Sequence, residues 1–194
     1  MRKLILSAAL LLPLTSLALA ADDAAQDHSD HPVKSTMDNI KEAGTQLLLT
    51  DKSFVKKAAM ANAAEIEISK LAATKSNDPD VKSFAQRMLT DHTSAGIELK
   101  TIAQNKNIEV PNDIDHSHKQ VLEKLGKLSG DEFDNAYKEQ ITNDHDKVVA
   151  LFTAAADDKS IDPALREFAA KMLPKLRSHQ HDAIKLERVS SAQR

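Results

Sequence analysis

From residue 51 onward, apolar and small side chains return at alternating spacings of three and four, the signature of helices with one buried seam. Phe54, Ala58, Ala61, Ile68 and Ala72 mark the first long helix, over Asp51 to about Lys75. Asn77-Asp78-Pro79 stops it and opens the second, with Asp78 as N-cap and Pro79 at the first helical position. That helix buries Val81, Ala85, Met88, Ala95, Leu99 and Ile102 and ends near Asn107, ahead of Pro111. A connecting segment from Asp113 to Leu128 also reads as helical. Ser129 and Glu132 then have the spacing of a capping box. The third long helix carries Phe133, Tyr137, Ile141, Val148, Phe152 and Ala155. Asp162-Pro163 starts the fourth, whose seam is Leu165, Ala169, Met172, Leu176, Ala183 and Leu186.

The two Asp-Pro starts belong to a longer likeness. Residues 78–89 (DPDVKSFAQRML) align without gaps on residues 162–173 (DPALREFAAKML), at an offset of 84. Asp, Pro, Phe, Ala, Met and Leu recur at matching places. A duplicated helical hairpin accounts for this, with residues 107–128 as the long crossover between the halves. The expected architecture is an all-α, antiparallel four-helix bundle of the ferritin-like kind, with one long connection.

The first 50 residues follow another logic. Arg2 and Lys3 precede an apolar run, Leu4 to Leu14, interrupted only by Ser7 and Pro13, and Ala18-Leu19-Ala20 supplies small residues for a signal peptidase. Residues 1–20 therefore read as a secretory signal peptide, too short and too abruptly ended for a membrane span. No Cys follows the cleavage point, so a bacterial lipoprotein anchor is excluded. The mature protein is expected to be exported without a membrane anchor, into the periplasm if the cell is Gram-negative. Residues 21–50 read as a flexible acidic leader, with a short helix over Ser35 to Leu49. The bundle is expected over 51–188, followed by a tail over 189–194.

Composition narrows the chemistry. The 194-residue chain has no Cys or Trp, 4 Gly and a formal charge of −3. It has neither the cysteines of a disulfide scaffold nor the turn residues of a sandwich or barrel. No broad basic surface offers itself to nucleic acid. Gly-rich phosphate loops, a Gly-x-Ser-x-Gly elbow and His-Glu-x-x-His are all missing, so hydrolase and nucleotide readings have no support.

Each long helix places one ionisable side chain in its seam: Glu65 in the first, His92 in the second, His145 in the third and His179 in the fourth. Measured from the hairpin turns, their heights agree within about 10 Å along the bundle axis. Burying them unpaired costs about 1–3 kcal/mol for each lost hydrogen bond. Two arrangements avoid that cost. One is a transition-metal ion (Zn, Fe, Mn or Cu) held by the imidazoles and the carboxylate, with Asp91 and Asp144 as supporting or alternative ligands. The other is a metal-free Glu–His hydrogen-bond layer that fixes helix register. The first suits an exported metal-binding protein active in metal, oxidative or envelope stress. The second suits a non-catalytic binding or structural module. Pro174, five residues before His179, is expected to kink the last helix beside the site. His28, His31, His116 and His118 read as solvated, and His181 lies on the wrong face to join His179.

Residues 50 to about 187 resemble the bacterial family called domain of unknown function 4142, within the ferritin-like superfamily. The likeness is carried by Asp51-x-x-Phe54, Ala64-Glu65-Ile66, Phe84-Ala85-x-x-Met88-x-x-Asp91-His92, Val110-Pro111, Phe133-Asp134-x-x-Tyr137, Asp144-His145 and Leu173-Pro174-x-Leu176-x-x-His179. It implies an exported helical bundle and supplies no activity. Di-iron members of the superfamily carry Glu-x-x-His on two helices. Here Leu89 and Leu176 stand three residues before His92 and His179, a departure that speaks against ferroxidase chemistry and iron storage.

Overall fold

The computed structural model describes residues 49–111 and 113–192, and side chains as far as residue 186. The expected signal peptide over 1–20 and, up to residue 48, the expected leader and short helix fall outside the described residues. Five helices follow one another: α1 (Asp51–Lys75), α2 (Pro79–Asn105), α3 (His116–Lys127), α4 (Gly130–Asp157) and α5 (Pro163–Ala192). No strand occurs among the described residues. No helix there is long and apolar enough to cross a membrane.

The helix ends follow from local chemistry. Thr50 and Ser53 form a reciprocal capping box at the start of α1. Asp78 Oδ1 accepts from the amide of Asp80 at 2.9 Å, and Asp162 Oδ1 accepts from that of Ala164 at 2.8 Å, so the duplicated Asp-Pro starts are capped alike. Asn107, with φ 55°, ends α2: its amide reaches Gln104 O and the next amide reaches Ala103 O, closing a Schellman turn without glycine. One expectation needs correction. Ser129 makes no side-chain cap bond, because Gly130 (φ 55°) takes the backbone away from capping-box geometry. The last helix runs to Ala192, through a segment with no Gly or Pro to stop it.

α1 pairs with α2, and α4 with α5; the hairpins meet through α1 against α4 and α2 against α5. Contacts fix the directions. Arg87 meets Asp182 and Glu98 meets Lys171, so α2 and α5 are antiparallel. Phe54 meets Phe152 while Lys75 lies over Phe133, so α1 and α4 are antiparallel too. The segment from Lys106 to Ser129, holding α3, spans the length of the bundle between the hairpins. This is the four-helix bundle with one long crossover.

The interior is not one continuous apolar core. Phe54, Leu99, Phe152, Leu165 and Phe168 belong to a cluster at one end, and Ile68, Met88, Phe133, Tyr137 and Ile141 to a cluster at the other. Each such large side chain contributes about 1.5–3 kcal/mol by leaving water. Between the clusters lie Glu65, His92, His145 and His179, each at most 6% exposed.

Candidate metal centre

The seams of four helices bury Glu65, His92, His145 and His179, and the three histidines come within ligating distance of one another. One nitrogen from each of His92, His145 and His179 lies within 4.8 Å of the others. The ring centroids are 5.5–5.8 Å apart. Among the described residues this is the only group of three or more potential metal-ligating side chains so arranged. Glu65 Oε1 stands 3.6 Å from His145 Nδ1, beyond hydrogen-bond reach.

Each imidazole is anchored on one side by an atom that can only accept. His92 Nδ1 faces Asn62 Oδ1 at 3.1 Å, His145 Nδ1 faces the Ile141 carbonyl at 3.0 Å, and His179 Nε2 faces Asp91 Oδ2 at 2.8 Å. Those nitrogens must therefore carry the ring proton. The opposite nitrogens, His92 Nε2, His145 Nε2 and His179 Nδ1, are buried lone pairs with no hydrogen-bond partner, as are both oxygens of Glu65. Anchoring one nitrogen so that the other presents its lone pair is how proteins orient histidine ligands.

Electrostatics keep the rings neutral. Burial and the neighbouring histidines push His92 down to about 3. Burial, with His179 nearby, takes His145 down to about 4, against the opposing bond to Ile141. Burial also lowers His179, though Asp91 works the other way. The Glu65 carboxyl is raised well above its ordinary range by burial and by the Asp144 charge. Neutral imidazoles are the form that binds metal.

The two supporting carboxylates behave differently. Asp91 bonds directly to His179 and to Lys175, at 2.6 Å. Burial raises its pKa, but these bonds outweigh that and hold it below the usual value. Asp144 accepts from Gln140 at 2.7 Å and from Lys147 at 3.2 Å and bonds none of the histidines. Its influence on Glu65 and His145 is through space. Asn62 escapes a search of the seams for ionisable residues, because its amide does not titrate. Its place on α1, one turn before Glu65 in the seam, is the signal that could have found it. His181 is exposed beside Asp182, and His116 is exposed. Pro174 lies inside α5, which continues beyond it.

Ala61, Leu99, Val148, Phe152, Phe168 and Met172 form the apolar wall of a partly open cavity of about 30 Å³ that Asn62, Glu65, Asp91, His92, Lys175 and His179 also line. That is space for a single small ion or molecule. A closed Glu–His network would leave none of these buried atoms unpartnered. Three neutral nitrogen donors, a nearby carboxyl and a small apolar-walled cavity fit a transition-metal ion.

The model of a family described as Domain of unknown function (DUF4142) matches residues 36–186. No protein with a curated description matches the sequence. Among solved structures, CopM in the Cu(II)-bound form is similar with TM-score 0.62 at 17% identity, over 73% of this chain and 98% of that one. CopM in the Ag-bound form gives 0.59 at 17%, over 73% and 97%. A DUF305 fragment from Deinococcus radiodurans gives 0.62 at 13%, over 73% and 95%. At such identities the likeness is one of fold.

Proposed function

The chain belongs to the family described as Domain of unknown function (DUF4142), a description that carries no activity, and we propose that it is an exported protein that binds one transition-metal ion of the copper class. The observation that carries this reading is the convergence of three neutral imidazoles, each with its proton anchored outward and its lone pair unpartnered. In this reading His92 and His145 bind through Nε2 and His179 through Nδ1. Glu65, 3.6 Å from His145 Nδ1, is a buried carboxyl that could offset part of the cation's charge. Imidazole donors accept copper, zinc, nickel and iron, with copper(II) highest in affinity at a given site. The ions bound in the similar CopM structures, Cu(II) and Ag, lean the same way. Export rests on the signal-like first 20 residues.

The test is to secrete the protein untagged, read its N-terminus by mass spectrometry, and measure bound metal by elemental analysis. Titration with Cu(II), Ag(I) and Zn(II) follows, with thermal melting as the readout. A ligand at one hundred times its Kd stabilises by about 2.7 kcal/mol, or roughly 5–10 °C for a domain of this size. That shift should vanish in His92→Ala, His145→Ala and His179→Ala. Metal-independent melting, or a shift that survives all three substitutions, overturns the reading. A mature N-terminus other than Ala21 overturns the proposed cleavage site.

A further inference from the structure

Gly96 lies in the interior of α2, a place where glycine weakens a helix relative to alanine. Its backbone does not explain it: the positive-φ residues among those described are Asn107 and Gly130. Space does explain it. A Cβ built on Gly96 would stand 2.7 Å from Asn62 Nδ2, on the facing helix α1. Asn62 in turn directs its other amide atom, Oδ1, to His92 Nδ1 at 3.1 Å. His92 and Gly96 are one helical turn apart on the same face of α2, so the Asn62 amide is seated between them.

We propose that Gly96 and Asn62 are a positioning pair for the metal centre, which set the tautomer and the aim of His92. This rests on the metal-binding reading above and goes one step beyond it, to residues that touch no metal. The glycine leaves room for the Asn62 NH2 group against the α2 backbone. The amide is then held with its carbonyl oxygen toward His92, which fixes the imidazole proton on Nδ1. The Nε2 lone pair is left for the cavity. A Cβ at position 96 displaces the end of the Asn62 side chain, at little cost to packing because that end is flexible, and the anchor is lost. The helix tolerates the residue; the site requires its absence of side chain.

The experiment compares Gly96→Ala, Asn62→Ala, the double variant and Gly126→Ala. Gly126 is the control, also a helical glycine, but with nothing within 4 Å of an added Cβ. In the metal-free protein, long-range proton–nitrogen NMR reads the His92 tautomer directly. Wild type and Gly126→Ala should show a proton on Nδ1, and Gly96→Ala and Asn62→Ala a mixture or the Nε2 form. Cu(II) and Ag(I) titrations should give dissociation constants about 10–100-fold weaker in both single variants. The double variant should be no weaker than Asn62→Ala, since both act through one contact. Melting of metal-free Gly96→Ala should be unchanged or higher, because alanine is the better helix former. Loss of stability with an unaltered tautomer would make Gly96 a mere packing residue and overturn the proposal. Wild-type affinity in Gly96→Ala would do the same. If the wild type binds neither ion, the metal reading fails by itself, and the NMR spectra still decide whether Gly96 and Asn62 orient His92.

Discussion

His179 donates its Nε2–H to Asp91 Oδ2 across 2.8 Å, while Lys175 holds the other carboxylate oxygen at 2.6 Å. Positions 91 and 175 are separated by the same offset of 84 that relates the two Asp-Pro helices. Equivalent positions of the duplicated helices thus meet across the bundle, and one has become an acid and the other a base. The pair is partly solvated, with Lys175 48% exposed, so its direct contribution to stability is about 1 kcal/mol or less. Its larger effect is on the histidine. A carboxylate on Nε2 fixes which nitrogen of His179 faces the cavity and strengthens it as a donor.

Asp91→Ala should therefore weaken binding as well as the fold. The expected outcome is a loss of about 1–3 kcal/mol in unfolding free energy, because the buried His179 Nε2–H loses its acceptor, beside a 10–100-fold loss of Cu(II) or Ag(I) affinity in competition titrations. Asp91→Asn, which keeps an acceptor but not the charge, should recover part of that affinity. A large loss of stability with affinity retained would place Asp91 in the fold rather than the site.

The depressed histidines predict acid sensitivity in the metal-free protein. His92 at about 3 and His145 at about 4 stay neutral in the folded state, where the unfolded chain protonates near 6.5. Their stabilising contribution is complete above 6.5 and is lost as pH falls through the window toward 4. Each costs about 1.4 kcal/mol per pH unit there. Glu65 acts oppositely, since its raised pKa favours the fold most below 4.5 and less as pH rises. It opposes the histidines from 4.5 upward. Asp91, held low, adds to the loss only below about 4. The net expectation is roughly 1.5–3 kcal/mol lost per pH unit from 6.5 to 4.5, measured by chemical denaturation with chelator present. His145→Leu should flatten the slope by one histidine's share, and an unchanged slope would refute the assignment.

Periodicity makes the helices and the seam legible, because a residue's face on a helix follows from its number alone. Glu65, His92, His145 and His179 emerge that way, and their heights follow from the hairpin turns. What periodicity does not carry is the rotation and height of one helix against the next. The contact of Asn62 with His92 depends on those, as does the clash an added Cβ at Gly96 would make. The engagement of Asp144 with Gln140 and Lys147 is another case: its register suggests the site, but its neighbours on α4 claim both oxygens. Cap chemistry is legible where the backbone obeys it. Asp78 and Asp162 cap as their motif implies, while Ser129 yields to the left-handed Gly130 beside it.

Glu65 is where stability and binding should oppose each other most clearly. Its side chain is 2% exposed, both oxygens are unpartnered, and burial together with the Asp144 charge favours the neutral acid. A buried carboxyl left without hydrogen bonds costs the fold about 1–3 kcal/mol. Leucine is close in size and carries no polar atom, and the layers on either side of position 65 are apolar. Glu65→Leu should raise the stability of the metal-free protein by about 1–3 kcal/mol, or several degrees in Tm. Glu65→Gln should not, because its amide would be as unpartnered as the carboxyl it replaces. In the presence of Cu(II) the order should reverse. Wild type would gain from the metal, while Glu65→Leu, lacking a buried carboxyl that could offset part of the cation's charge, would gain less. Calorimetric melting of the three proteins with chelator and with Cu(II) reads both effects in one series. A destabilised metal-free Glu65→Leu would mean that the carboxyl is satisfied within the fold and that the layer is held together without a metal.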